Sequence, residues 1–310
     1  MGIISSFTLN LAVDGPITFQ GFSGFSAFNL FYELVRSIDP GLVEGLRSFR
    51  GPAPWAATPF ISGESSRVIY RKLNVPSTVS VTFTMMDEAV LDAFRKAILS
   101  SRLKLELAGV KFKLLSITFS VLRFSEIASS VDPLPTKFAV GFITPTAFRR
   151  SVHDCCPTCP HYEAYLRNQE KKLTDKPCEH VMPHGNTLVP LPLPSLMFRN
   201  LARIWSSFSD TMKDVWSAVK WAEEAIIVTG FPRGIRTRRL CEDAATNRWI
   251  TGFTGKVNFA VKENAYDERH AKTVAALLRM AERTNTGVRR TAGLGMIKYF
   301  EPLASAEHIK

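Results

Sequence analysis

Residues 285–297 read Asn285-Thr286-Gly287-Val288-Arg289-Arg290-Thr291-Ala292-Gly293-Leu294-Gly295-Met296-Ile297. Just before them, residues 268–283 carry Val274, Leu277, Leu278 and Met280 at helical spacing, and just after them residues 296–300 read as a strand. Gly287, Gly293 and Gly295 allow positive φ and close backbone approach, and Arg289 and Arg290 sit among them. Such a loop can present amide N–H and guanidinium groups to a phosphate. It can equally be a tight turn that joins a helix to a strand.

Working back along the chain, the same rhythm repeats. Residues 3–13 alternate (Phe7, Leu9, Leu11, Val13) and predict a strand. A helix follows over residues 26–37, with Phe28, Phe31, Leu34 and Val35 at helical spacing, and Asp39-Pro40-Gly41 stops it. A helical turn over 42–46 leads to the loop Gly51-Pro52-Ala53-Pro54 and a short strand near 58–62. Residues 67–73 and 77–84 read as a strand pair, 86–99 as an amphipathic helix, and 103–107, 110–122 and 137–143 as strands. Beyond residue 190 come helices at 195–207 and 210–221, then strands at 223–230, 233–241 and 248–262. Both halves thus approximate strand, helix, strand pair, helix, strand. That order predicts an α+β protein of two tandem ferredoxin-like, RRM-like domains. The predicted boundaries are 1–148 and 191–310, with a Cys/His-rich insertion at 149–190.

Composition narrows the function. The 310 residues hold 39 Lys and Arg against 28 Asp and Glu, a net charge of +11. That excess fits a polyanionic partner, although a generically basic protein would show it too. The cations cluster beside Gly, Pro or Thr at Arg149-Arg150, at Arg233, Arg236, Arg238 and Arg239, and at Arg289-Arg290. Such placement suits loops and strand ends within reach of phosphates. No apolar run is long enough for a membrane span, and the N-terminus has no basic leader, so a cytoplasmic protein is expected.

Four segments carry a resemblance. Residues 285–297 resemble the glycine-rich signature of the repeat-associated superfamily of CRISPR RNA-binding proteins. Residues 142–149, Phe142-Ile143-Thr144-Pro145-Thr146-Ala147-Phe148-Arg149, resemble the mid-chain motif of its repeat-processing endoribonuclease branch. Leu191-Pro192-Leu193-Pro194-Ser195-Leu196-Met197-Phe198, followed by Leu201 and Trp205, resembles a second motif of that branch, and residues 251–259 a third. The resemblance implies two ferredoxin-like domains that bind the repeat of a precursor CRISPR RNA and cut it at the 3′ side of its stem. It implies attack of the ribose 2′-hydroxyl on the adjacent phosphate, leaving 2′,3′-cyclic phosphate and 5′-hydroxyl ends, with no metal or other cofactor in catalysis. The RNA contacts then fall to Arg233, Arg236, Arg238, Arg239, Lys256, Gly287, Arg289, Arg290, Gly293 and Gly295.

The chain departs from the family at one point. Many members carry a histidine about fifteen residues after a tyrosine of the first helix. Here Tyr32 lies in that helix, the matching position is Arg47, and no histidine precedes His153. Tyr32, Arg47, Arg50 and Arg36 are therefore the catalytic candidates, with charge stabilisation and alignment replacing the imidazole. Each also has a bland reading, Tyr32 as a helix-edge aromatic and Arg47 as a solvated charge. A subunit that binds repeat or guide RNA within a CRISPR effector complex without cutting stays open, as does an unrelated basic protein. The chain is expected as a monomer or homodimer.

The family does not explain the insertion. Cys156-Pro157-Thr158-Cys159 and Cys178-Glu179-His180 have the spacing of a tetrahedral Zn²⁺ site, with Cys155, His161 and His184 as alternates. A structural zinc is one expectation and incidental thiols the other.

Overall fold

The computed structural model describes residues 2–19, 21–49, 51–73, 77–100, 105–107, 110–150, 187–243 and 248–301. Strand β1 (Ile3–Val13) alternates as its sequence predicts: Phe7, Leu9, Leu11 and Val13 are buried in one cluster. Ser6, Thr8 and Asn10 occupy the other face and hydrogen-bond across strands to Thr84, Thr82 and Ser116. Then come α1 (Ser23–Arg36), α2 (Pro40–Ser48), β2 (Trp55–Ala57), β3 (Ser77–Met85), α3 (Glu88–Ile98) and β4 (Lys113–Arg123). The helices start where their caps dictate. Asp39 accepts from the Leu42 N–H with Pro40 in the first turn, and Asp87 accepts from the Val90 N–H. The sheet runs β2-β3-β1-β4, every neighbouring pair antiparallel, so β3 inserts between β1 and β2. This is the split β-α-β arrangement, and α1 and α3 contribute Phe31, Leu34, Phe94 and Ile98 to the core.

The second unit repeats it. After α4 (Phe124–Ser130) come β5 (Lys137–Thr146), the short pair β6 (Phe148–Arg150) and β7 (Thr187–Val189), α5 (Pro194–Phe208) and α6 (Val215–Ala225). Strands β8 (Ile226–Gly230), β9 (Arg236–Asp243) and β10 (Arg248–Val261), helix α7 (Glu268–Thr284) and β11 (Ile297–Phe300) complete it. The order is β8-β10-β5-β11, with β9 forming a hairpin on the other end of β10. Two tandem ferredoxin-like units therefore make up the described chain.

The boundary differs from the expected one. Strand β5, assigned from sequence to the first unit, is central in the second sheet, bonded to both β10 and β11. The compositional break at residue 151 suggested the division, whereas the chain changes sheets at the proline-rich turn 131–136. The strands on the outer side of β3 are Trp55–Ala57 and the short Ile61–Ser62, not residues 67–73. Of these, Lys72–Leu73 pair instead with Ile17–Thr18. Helix α6 runs on through Ala225, where a strand from 223 was expected. No helix among the described residues is long and apolar enough to cross a membrane.

Candidate functional site

Tyr32 lies in the last turns of α1 and is only 7% exposed. Its ring meets Phe28 and Trp55 edge-on at 4.8 and 5.6 Å, and Trp55 itself stacks on Phe31 at 3.6 Å. Arg47, exposed at the end of α2, brings its guanidinium carbon to 5.4 Å from the Tyr32 ring centre. Two residues fifteen positions apart in sequence thus meet, because the turn at Asp39 folds α2 back beside α1. Arg36 is exposed one turn further along α1. Arg50 lies outside the described residues.

Burial pushes the Tyr32 phenol above its ordinary pKa of 10, outweighing the Trp55 hydrogen bond and the Arg47 charge, which both pull it down. At neutral pH the phenol is therefore a neutral hydrogen-bond donor and not a base. The only histidine among the described residues, His270, cannot assist it. His270 sits in the first turn of α7, and fourteen helical residues, ~21 Å at 1.5 Å per residue, separate it from the loop that touches β2.

The glycine-rich loop faces inward, against the expectation that it offers its amides to phosphate. The N–H groups of Thr286, Val288, Ala292, Gly293, Leu294 and Gly295 donate to backbone carbonyls, and that of Gly287 to the Asn200 side chain. Gly287, Gly293 and Gly295 have φ near +70 to +75°, and a Cβ on any of them would strike backbone. Arg290 is 5% exposed and donates to the Thr284 and Ala53 carbonyls at 2.7 and 2.8 Å. Burial lowers its pKa to about 10, which still leaves it charged at neutral pH. Asn285, at φ +59°, donates to the Ala57 carbonyl. Arg290 and Asn285 therefore grip the two ends of the segment that carries Trp55. Two backbone carbonyls were a better match for that guanidinium than solvent, which no local pattern reveals. Arg289 alone of the pair stays exposed.

The other arginines gather on the hairpin of β9 and β10. Arg233 is exposed in the turn before it, beside Gly234 at φ +70°. Alternation sends Arg236, Arg238 and Leu240 to one side and Arg239 to the other. Leu240 and Ile250 pack with Phe22 at the start of α1, which docks the hairpin on the first unit. Arg238 lies 4.4 Å over the Tyr70 ring and Arg239 4.5 Å over Trp249, itself exposed. Lys256 follows Gly255, where an added Cβ would meet the Gly234 carbonyl oxygen at 2.8 Å, and reaches the Phe300 ring at 4.7 Å. Sequence reading missed Trp55, Tyr70, Trp249 and Asn200. An aromatic within a Pro-rich stretch was the sole signal for Trp55.

Among the described residues no group of His, Cys, Asp and Glu could hold a metal ion. Cys155, Cys156, Cys159, Cys178, His161, His180 and His184 all lie outside them.

Solved structures show the same fold. A Cas6 product complex is 18% identical with a TM-score of 0.68, over 97% of this chain and 100% of that one. Thermus thermophilus Cas6 is 18% identical with a TM-score of 0.62, over 97% and 99%. A Cas6-related protein from Pyrococcus furiosus is 14% identical with a TM-score of 0.54, over 98% and 100%. No curated protein sequence matches the chain. The family model of the CRISPR-associated endoribonuclease Cas6 matches residues 140–297, which span the mid-chain motif, the arginine hairpin and the glycine-rich loop, and the chain belongs to that family.

Proposed function

We propose that this protein binds the repeat of a precursor CRISPR RNA and cleaves it without a metal ion. The 2′-oxygen attacks the adjacent phosphorus, the bond to the 5′-oxygen breaks, and 2′,3′-cyclic phosphate and 5′-hydroxyl ends result. The 2′-proton passes to solvent hydroxide, and the departing 5′-oxygen takes a proton from water. The observation that carries this reading is the pairing of Tyr32 with Arg47. Arg47 stabilises the anionic phosphorane, Tyr32 donates its O–H to a phosphoryl oxygen, and Arg36 holds the neighbouring phosphate. The arginine hairpin grips the stem. The test is a repeat RNA incubated with protein in EDTA, followed by analysis of the new ends. An uncut RNA overturns the cleavage.

A second reading keeps the binding and drops the cut, with the protein positioning RNA among effector-complex subunits. The deep burial of Tyr32 and the lack of any histidine before His153 favour it.

Arg236→Ala, Arg238→Ala and Arg239→Ala are each expected to weaken repeat binding and flatten its dependence on salt. Each lost phosphate contact removes about 0.7–0.9 from the slope of log K against log salt. Arg290→Ala leaves that slope unchanged, because its guanidinium faces carbonyls inside the protein. Binding titrations at several salt concentrations decide this. Equal slopes for wild type and all three hairpin variants remove the hairpin from the RNA site.

We also propose one structural zinc held by Cys156, Cys159, Cys178 and His180, on their spacing alone. Elemental analysis of protein purified without chelators is expected to find one zinc per chain. Metal-free protein refutes it.

A further inference from the structure

Strand β2 lies at the edge of the first sheet and pairs with β3 through three residues, Trp55, Ala56 and Ala57. Beside it the second unit brings donors of the kind a neighbouring strand would bring. The Asn285 amide donates to the Ala57 carbonyl at 2.7 Å, and the Arg290 guanidinium to the Ala53 carbonyl at 2.8 Å. The same loop bears on α1. A Cβ added to Gly24, in the first turn of that helix, would strike the Ala292 carbonyl. One loop of the second unit therefore touches both elements of the first whose rings meet, Tyr32 on α1 and Trp55 on β2, 5.6 Å apart. Trp55 is buried and stacks at 3.6 Å on Phe31, the residue before Tyr32. In so closely packed a cluster a shift of β2 is passed on and not absorbed.

We propose that Asn285 and Arg290 are positioning residues for cleavage, which act across the two units through Trp55. They hold β2, β2 holds Trp55, and Trp55 fixes the Tyr32 hydroxyl relative to the Arg47 guanidinium. The inference rests on the reading of Tyr32 and Arg47 as the cleavage site. Asn285 and Arg290 themselves stay away from RNA, since both are buried and donate to carbonyls of the protein. Arg290 bridges the Thr284 and Ala53 carbonyls, so it ties the end of α7 to the segment that carries Trp55. Without it the Ala53 carbonyl loses that donor, and the segment is drawn toward water. A misplacement of about an ångström at a group that meets the reacting phosphate slows the reaction steeply. RNA affinity is set elsewhere, by the hairpin arginines, and does not change.

Single-turnover cleavage of repeat RNA by Asn285→Gly and Arg290→Ala, at saturating protein and well below the melting temperature, tests this. Glycine accepts the φ of +59° at position 285, so that variant loses the amide and keeps the backbone. Each variant is expected to cut about tenfold more slowly than wild type at unchanged RNA affinity, the loss expected of Tyr32→Phe. In a Tyr32→Phe background the same substitutions change the rate by less than about twofold, because the hydroxyl they position is gone. A second readout needs no cleavage. In a carbon-13 NMR titration of the tyrosine rings, the Tyr32 ionisation moves down toward about 10 in both variants, as its ring loses packing and gains water. Wild-type rates in both variants, or a full tenfold loss in the Tyr32→Phe background, overturn the proposal. If wild-type protein leaves the RNA intact, the cleavage reading falls by itself and the titration decides the positioning. A shifted Tyr32 ionisation upholds the link from the second unit, and one identical to wild type in both variants overturns it.

Discussion

Arg47→Ala is expected to cut repeat RNA about 100-fold more slowly than wild type in single turnover, at saturating protein and in EDTA. The charge it removes is the one at the Tyr32 ring, which in the proposed mechanism stabilises the phosphorane. Binding changes much less, because the hairpin arginines remain. Tyr32→Phe should slow the cut by about tenfold, the worth of one hydrogen bond to a charged oxygen. The ring is kept, so the packing against Phe28 and Trp55 survives.

The pH profile adds an independent reading. Burial raises the folded-state pKa of Tyr32 above 10, so its donor proton is fully present below that pH. The rate should therefore climb with pH as the 2′-hydroxyl is more readily deprotonated, with no fall from phenol ionisation below pH 10. A limb that falls near neutrality and vanishes in Tyr32→Phe would show that the phenol is not held as described. Wild-type rates in both Arg47→Ala and Tyr32→Phe would move the site to His153, His161 or the 233–239 segment. Tight binding of an intact repeat by wild type would leave the non-cleaving reading in its place.

Gly295→Ala should lower stability by about 3 kcal/mol or more, the sum of a positive-φ penalty and overpacking. Gly295 sits at φ +75°, and the added Cβ would meet the carbonyl oxygen of Thr286, whose N–H is bonded back to the Gly295 carbonyl. The loop would have to open, and with it the grip of Arg290 and Asn285 on Ala53 and Ala57. In a thermal melt this appears as a drop of about 6–12 °C. Gly45→Ala is the control. Nothing lies within 4 Å of its Cβ, and at an exposed helix position it should stabilise by about 0.5–1 kcal/mol. Equal melting temperatures for Gly295→Ala and wild type would mean that the loop does not hold the domains as described.

How much of this was legible in sequence depends on the range of the forces involved. The alternation of Phe7, Leu9, Leu11 and Val13 fixed β1, and Asp39-Pro40-Gly41 marked the end of α1, because each depends on neighbours a few residues away. The element order followed from these and was enough for the ferredoxin-like pair. The glycines of 285–297 were correctly singled out as places of close approach. What they approach was not legible. Amides and a guanidinium suited to phosphate are equally suited to carbonyls, and only the docking of Ala53 and Ala57 against the loop decided between them. The same holds for β5, whose alternation is local but whose partners are β10 and β11, drawn from more than a hundred residues away. Tyr32 and Arg47 were paired from a family pattern. That the phenol stays neutral was set by Phe28, Trp55 and the burial they impose, a property of three-dimensional packing that no spacing along the chain encodes.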